Sequence, residues 1–207
     1  MLLKAFREDE DIHARTASEV FHVSMENVTP QMRREAKVIN FGIIYGMSAY
    51  GLSQQLGAEP KVAQAYIDEY FKRYAGVQAY IEKSLREARE RGYVTTLLNR
   101  RRYLPDMHAP ALAVRQASER MAINSPIQGT AADIIKVAMI RIQNRIEESG
   151  LSTKMIMQVH DELVFEAPEA ELSQALPLIQ REMETVMPLS VPLRVSIHSG
   201  KNWAVAH

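Results

Sequence analysis

The stretch from Lys154 to Glu166, K-M-I-M-Q-V-H-D-E-L-V-F-E, constrains the fold most tightly, because here the chain commits to paired strands. Two mostly apolar runs flank the polar segment His160, Asp161 and Glu162, a pattern that predicts a β-hairpin. Much of the remaining chain has helical spacing, so the expected architecture is α+β, with a small antiparallel sheet packed on helices. Adjacent strand residues face opposite sides, so if the pattern holds through the turn Asp161 and Glu162 cannot both aim at one point. Such a turn can hold a divalent cation beside a phosphate, and acidic turns also arise simply because turns are solvated. The hairpin alone leaves both readings open.

The chain of 207 residues is long enough for one large domain or two small ones tightly joined. No run approaches the ~20 apolar residues needed to span a bilayer. No secretory signal precedes the first elements, and with no cysteine the chain can form neither disulfides nor thiolate metal sites. A soluble protein in a reducing, cytoplasmic setting is expected. The formal net charge of zero hides a segregation along the chain. From Arg100 to Arg120 five arginines face only Asp106 and Glu119, whereas from Asp161 to Met187 seven acidic residues face only Arg181. A basic segment that follows phosphates and an acidic one that holds cations fit polynucleotide chemistry, and two solvated faces explain the same counts.

From Asp11 to Phe21 the apolar spacing predicts a short amphipathic helix carrying His13, which by itself reads as a surface or packing residue. Thr29 then suits a helix cap and Pro30 a first helical position. Inside that helix Arg33, Lys37, Phe41 and Tyr45 recur at steps of four, each advancing about 40°, so they form one slanting stripe. Two cations come first, near the helix N-terminus that also favours anions, and two aromatics follow. That order suits a nucleoside triphosphate, with Arg33 and Lys37 on its charged tail and Phe41 and Tyr45 against sugar and base. The competing reading makes the aromatics core and the cations solvated; Val38, Ile39 and Ile43 weaken it by supplying an apolar face of their own. Gly46 and Gly51 are expected to end the helix.

Glu59 to Gly92 reads as two scaffold helices with Gly76 and Gly92 as stops, and Tyr66, Ile67, Tyr70, Phe71 and Tyr74 as packing. Tyr93 to Leu104 predicts a small hairpin turning at Asn99, whose Arg100, Arg101 and Arg102 either contact backbone phosphates or line a solvated turn. Leu112 to Ser149 is helical, with a kink or restart expected at Pro126. Arg120, Asn124 and Gln128 step by four and can probe minor-groove base edges, while Ser125-x-x-Gln128 is also a capping box. Beyond them Ile134, Ile135, Ala138, Ile142 and Ile146 form an apolar face, with Asp133 as hydrogen-bonded structure. Glu169 to Met187 predicts another helix and Leu193 to Ile197 a third strand, which together with the hairpin make an antiparallel α+β unit whose edge Trp203 covers.

Taken together, R-R-E-A-K-V-I-N-F-G-I-I-Y-G, E-R-M-A-I-N-S-P-I-Q-G-T-A-A-D-I-I-K and Q-V-H-D-E-L-V-F-E closely resemble the C-terminal part of the bacterial DNA polymerase I family, family A. The likeness covers nearly the whole chain, from Asp11-Ile12-His13 to G-K-N-W. It implies a DNA-templated DNA polymerase, with residues 1–115 mainly a fingers subdomain and 116–207 a partial palm of long helix, catalytic hairpin, helix and C-terminal strand. The implied nucleotide-binding residues are Arg33, Lys37, Phe41, Tyr45 and His13. Arg120, Asn124, Gln128, Gln158 and His160 would contact primer-template DNA. The implied catalytic set is Asp161, Glu162 and Lys37, with Asp161 bridging Mg²⁺ ions about 3.5–4 Å apart. A single-subunit RNA polymerase shares the fingers-helix logic, but Phe41, the H-D-E turn and the G-T-A-A-D-I-I-K run resemble the DNA enzymes more.

The chain also departs from the family pattern. The other catalytic aspartate belongs to a D-Y-S-x-I-E-L-R-like strand, normally just upstream of the residues matching Leu2 to Phe6, and the 207 residues contain no such stretch. Asp106 and Asp133 sit in the wrong contexts to replace it, and the thumb and exonuclease segments are absent too. The expectation is therefore a fragment that is inactive alone, whether a truncation or one half of a split polymerase. A missing N-terminal polymerase segment would be its complementing chain, and an unpaired palm edge would favour self-association. The alternative is a module that binds nucleic acid or nucleotide without catalysis.

Overall fold

The computed structural model describes residues 2–206; Met1, and with it the question of a natural start, and His207 lie outside the described residues. The fold is α+β and divides into two compact units, residues 1–129 and 130–207.

The first unit contains α1 (Leu2–Arg7), α2 (Ile12–Phe21), α3 (Pro30–Ile44), α4 (Ala49–Leu56), α5 (Pro60–Arg73) and α6 (Ala75–Arg91). An antiparallel pair follows, β1 (Tyr93–Thr95) with β2 (Arg101–Tyr103), and then the first part of α7 (Leu112–Glu148). Local chemistry starts these helices. Asp11 accepts from the backbone N–H groups of His13 and Ala14 at the head of α2, and Thr29 accepts from Met32 at the head of α3 with Pro30 in its first turn. Packing then holds them: Val20, Ile39, Ile43, Leu52, Tyr70 and Tyr74 make one buried cluster drawn from α2 to α5 and the residue after it. Asn99 turns the small hairpin with φ 62°, as its sequence position predicts.

Punctuation read from glycines is only partly right. Gly46 ends α3 with φ 68°, but Gly51 lies inside α4, a helix the periodicity did not predict, capped by Ser48. Gly76 likewise sits in the first turn of α6, because Tyr74 and not a glycine separates it from α5. At Pro126 the expected break is absent. α7 runs straight through, since one proline removes a single donor while Ala122 and Ile123 hold the preceding turn in the core. Ser125 makes no capping box; its hydroxyl donates to the Met121 carbonyl at 2.6 Å, one turn back.

The second unit contains the rest of α7, β3 (Lys154–Val159), β4 (Glu162–Glu166), α8 (Leu172–Glu184) and α9 (Trp203–Ala206). Ala138, Ile142 and Ile146 of α7 pack with Ala175, Ile179 and Val186, and Met155, Leu163 and Phe165 of the hairpin close onto them. Ile135, predicted on the same face, is not in this cluster. The third strand expected at Leu193 to Ile197 does not form among the described residues. Leu193 and Ile197 still pack on the cluster with alternating burial, but no neighbouring strand offers a ladder, and the Val195 N–H goes to the Glu184 carboxylate at 3.1 Å. Trp203 opens α9 with 47 % of its surface exposed.

Candidate functional site: a cationic and aromatic helix face and an acidic hairpin turn

The face of α3 divides as its spacing predicts. Ile39 and Ile43 are buried at 0 % and 3 % exposure, whereas Phe41 and Tyr45, on the neighbouring stripe, keep 42 % and 38 %. The aromatics are therefore not core. Phe41 stacks on Tyr45 with ring centres 5.8 Å apart, and the His13 ring of α2, tilted by 45°, also lies 5.8 Å from Phe41. Arg33 donates from Nε to Asp11 at 2.6 Å, so the residue that caps α2 also anchors the first cation of the stripe. Lys37, exposed, lies between the cation and the aromatics in sequence.

The charges here tune one another. Burial works against the Asp11 carboxylate, but donors from Arg33, Ala14 and His13 outweigh it and hold the carboxyl below its ordinary value. Partial burial pushes the His13 imidazole down, and the charges of Arg33 and Lys37 add to that against the opposing pull of Asp11. At neutral pH His13 is therefore an uncharged ring beside two cations.

Tyr45 also faces a second set of predicted residues. A Cβ added at Gly46 would stand 3.0 Å from Ile123 Cδ1 and 3.4 Å from Arg120 Cγ, and the φ of 68° would strain any other residue, so glycine suits this close approach of α3 to α7. An open cleft of about 1050 Å³ results, lined by Tyr45, Gly46, Arg102, Arg120, Asn124 and Gln128. The spacing-by-four residues of α7 thus meet the aromatic end of the α3 stripe. Asn124 Oδ1 is buried there with no hydrogen-bond partner among the described residues. The three consecutive arginines are exposed and each makes a contact within the chain: Arg100 donates to the Gly129 carbonyl, Arg101 lies over the Tyr93 ring and Arg102 reaches the Met121 sulfur.

In the second unit the hairpin turns through His160 and Asp161, with Val159 paired to Glu162. His160 takes φ 52°, and Gln158 Nε2 donates to the His160 carbonyl at 2.6 Å, tying the turn. Asp161 is exposed in the turn itself and Glu162, also exposed, begins β4. A register shift between Met155 and Met157 makes Ile156 an extra residue, so Gln158 pairs across from core-facing Leu163 and Glu162 takes the opposite face. Among the described residues no three His, Asp or Glu side chains gather as a metal site would require. Two exposed carboxylate groups with hard oxygens suit part of a Mg²⁺ shell, an ion that keeps several waters.

Glu171 steadies the approach to this hairpin. Its carboxylate accepts from the Ser152 and Thr153 backbone N–H groups and the Thr153 hydroxyl, and these donors, Ser152 first, hold its pKa below the ordinary value. A depressed carboxylate contributes stability above its unfolded pKa, about 4.3, that disappears as pH falls through the lower folded value. Glu171→Gln is expected to lower the denaturation midpoint at pH 7, where the contribution is fully present, and to flatten the acid limb, read as denaturation midpoints against pH.

With this geometry in place, the comparison with known proteins decides the lineage. A family model for DNA polymerase family A matches residues 1–205. The chain belongs to DNA polymerase family A. It is 53 % identical over 206 residues to DNA polymerase I of Pseudomonas aeruginosa, covering 100 % of this chain and 23 % of that protein. It is 51 % identical over 205 residues to the thermostable DNA polymerase I of Thermus aquaticus, covering 99 % of this chain and 24 % of that one. The chain therefore spans about a quarter of the length of these curated relatives. Its fold is similar to the POL domain of Pol1 from M. smegmatis, solved in complex with DNA primer-template and dNTP. The TM-score is 0.95 at 45 % identity, over 99 % of this chain and 36 % of that one. Among the described residues no helix is long and apolar enough to cross a membrane.

Within this family A chain, sequence reasoning singled out the stripe, His13 and the turn but not three residues that organise them. Asp11 and Asn40 had a signal only in three dimensions, since they lie 22 and 27 residues from the partners they bind. The bulge at Ile156 had a sequence signal, three consecutive apolar residues where strict alternation would have two.

Proposed function

We propose that this chain carries the nucleotide-binding helix, the minor-groove contacts and the acidic hairpin of a DNA-templated DNA polymerase, which joins a deoxynucleoside triphosphate to a primer 3′-hydroxyl. The observation that carries the reading is the exposed stripe of α3, where Arg33 and Lys37 precede stacked Phe41 and Tyr45 and His13 flanks Phe41. Arg33, Lys37 and neutral His13 bind triphosphate oxygens, Lys37 also serving the reacting phosphate, while Phe41 lies at the sugar and Tyr45 at the templating position. Arg120, Asn124 and Gln128 follow the minor groove of the primer-template, and their place on the wall of one open cleft supports that. Gln158 and His160 serve the primer end. Residues 1–115 act mainly as fingers and the remainder as palm.

Asp161 would hold Mg²⁺, with Glu162 in support. When bound, a pair of such ions activates the attacking hydroxyl and stabilises the leaving oxygens, which needs carboxylates from more than one strand. The 207 residues by themselves are therefore proposed to bind nucleotide and not to extend a primer. In a primer-extension assay with Mg²⁺, the chain alone is expected to match its Asp161→Ala variant. Extension is expected when a second chain carrying a D-Y-S-x-I-E-L-R-like strand is added. Incorporation by the chain alone well above the Asp161→Ala control would sink the inactivity. Primer-template binding with no extension in either mixture would instead favour a non-catalytic module.

A further inference from the structure

Behind the exposed stripe lies a buried chain of polar side chains to which the proposed reaction assigns no role. Thr16 is fully buried on α2, and its hydroxyl lies 3.1 Å from Asn40 Oδ1 on α3 and 3.4 Å from the Tyr74 hydroxyl. Asn40, 5 % exposed, places Nδ2 at 3.0 Å from His13 Nδ1. The Thr16 hydroxyl donates to the Ile12 carbonyl at 2.8 Å, one turn back, and shares that proton with the more distant Asn40 Oδ1, both acceptors lying on the donor side of the hydroxyl. One consistent direction then satisfies every group: Tyr74 donates to Thr16, Thr16 to Asn40 Oδ1, and the Asn40 amide N–H to His13 Nδ1. An imidazole that accepts at Nδ1 and is uncharged must carry its proton on Nε2.

We propose that Asn40 is a positioning residue that fixes His13 as the Nε2–H tautomer. His13 Nε2 has no hydrogen-bond partner among the described residues, so the fixed proton is left for a ligand oxygen. The consequence for nucleotide rests on the reading given under Proposed function: a neutral ring with its donor set in advance can hydrogen-bond an anionic phosphate without first gaining a proton. A ring free to change tautomer would spend part of its time offering the phosphate a lone pair. The charged groups facing His13 are Asp11 at the head of its own helix and Arg33 and Lys37 from α3. The two cations disfavour an imidazolium, which makes the tautomer the property that matters at neutral pH.

The test is the nitrogen spectrum of the histidine rings in the ¹⁵N-labelled 207-residue chain. His13→Gln identifies the His13 signals among the six histidines. Above pH 7 the wild-type ring is expected to show a protonated Nε2 and an unprotonated Nδ1. Asn40→Leu is expected to abolish that preference, populating both tautomers. Asn40→Asp replaces the donor with a carboxylate acceptor and is expected to raise the His13 titration midpoint by about one pH unit or more. A wild-type ring protonated at Nδ1, or a tautomer unchanged by Asn40→Leu, would overturn the proposal. Should Asn40→Leu melt below the measuring temperature, the wild-type spectrum decides directly and Thr16→Val, which removes the donor to Asn40, is the second variant. Adding a deoxynucleoside triphosphate separates the two ideas. A correct tautomer whose Nε2 signal ignores nucleotide would count against the nucleotide site and leave the role of Asn40 standing.

Discussion

Arg33→Ala is expected to weaken binding of a deoxynucleoside triphosphate about 10- to 100-fold at low ionic strength, corresponding to the roughly 1.5–3 kcal/mol of hydrogen bonds to a charged group. Arg33 is suited to this by more than its charge. It stands one turn into α3, close to a helix N-terminus that favours anions, and Asp11 holds its guanidinium at 2.6 Å. That ion pair is about half exposed, so it contributes little to stability; what it does is restrict the side chain before ligand arrives. The control is Arg34→Ala, which removes the same charge from the next residue, one that donates to Gln31 and lies off the stripe. A titration of nucleotide into both variants should show the large loss only for Arg33. The loss should shrink as salt is raised, because exposed charges are screened within about 8–10 Å at physiological ionic strength. Equal losses in the two variants would mean that the helix attracts nucleotide by net charge, and the stripe would carry no recognition.

The difference between those neighbours also explains how far the sequence could be read. The stripe was legible because a helix converts spacing into direction, so residues at steps of four could be placed on one side of Ile39 and Ile43 from spacing alone. Asp161 was legible for a similar reason, since a short polar break between apolar runs marks a turn. What could not be read depends on chain segments far apart in sequence. The Asn40 to His13 contact and the approach of Gly46 to Arg120 require α3 to be packed already against α2 and α7. Proline and glycine misled where their local cost was small against packing: Pro126 stays within α7 and Gly51 within α4. Leu193 to Ile197 keeps the alternating burial of a strand yet forms no ladder, because a strand is a relation between two segments and periodicity describes only one.

Ile39→Ala and Phe41→Ala test that division of α3 most directly. They are two positions apart and are expected to fail in opposite ways. Ile39 is fully buried among Val20, Leu52 and Tyr70, so its truncation leaves a cavity and should cost about 2–5 kcal/mol of stability. A loss of that size lowers the denaturant midpoint strongly in far-UV circular dichroism. Nucleotide affinity measured well below that midpoint should change little, because no stripe residue is removed. Phe41 is 42 % exposed and touches His13 and Tyr45. Its truncation removes ring contacts worth about 0.5–1.5 kcal/mol, which should lower affinity about 2- to 10-fold at the sugar while leaving the midpoint nearly in place. If Phe41→Ala instead destabilises the chain as much as Ile39→Ala, the aromatics belong to the core after all. Arg33 and Lys37 would then stand alone on a solvated helix face, with no surface left against which a nucleoside could lie.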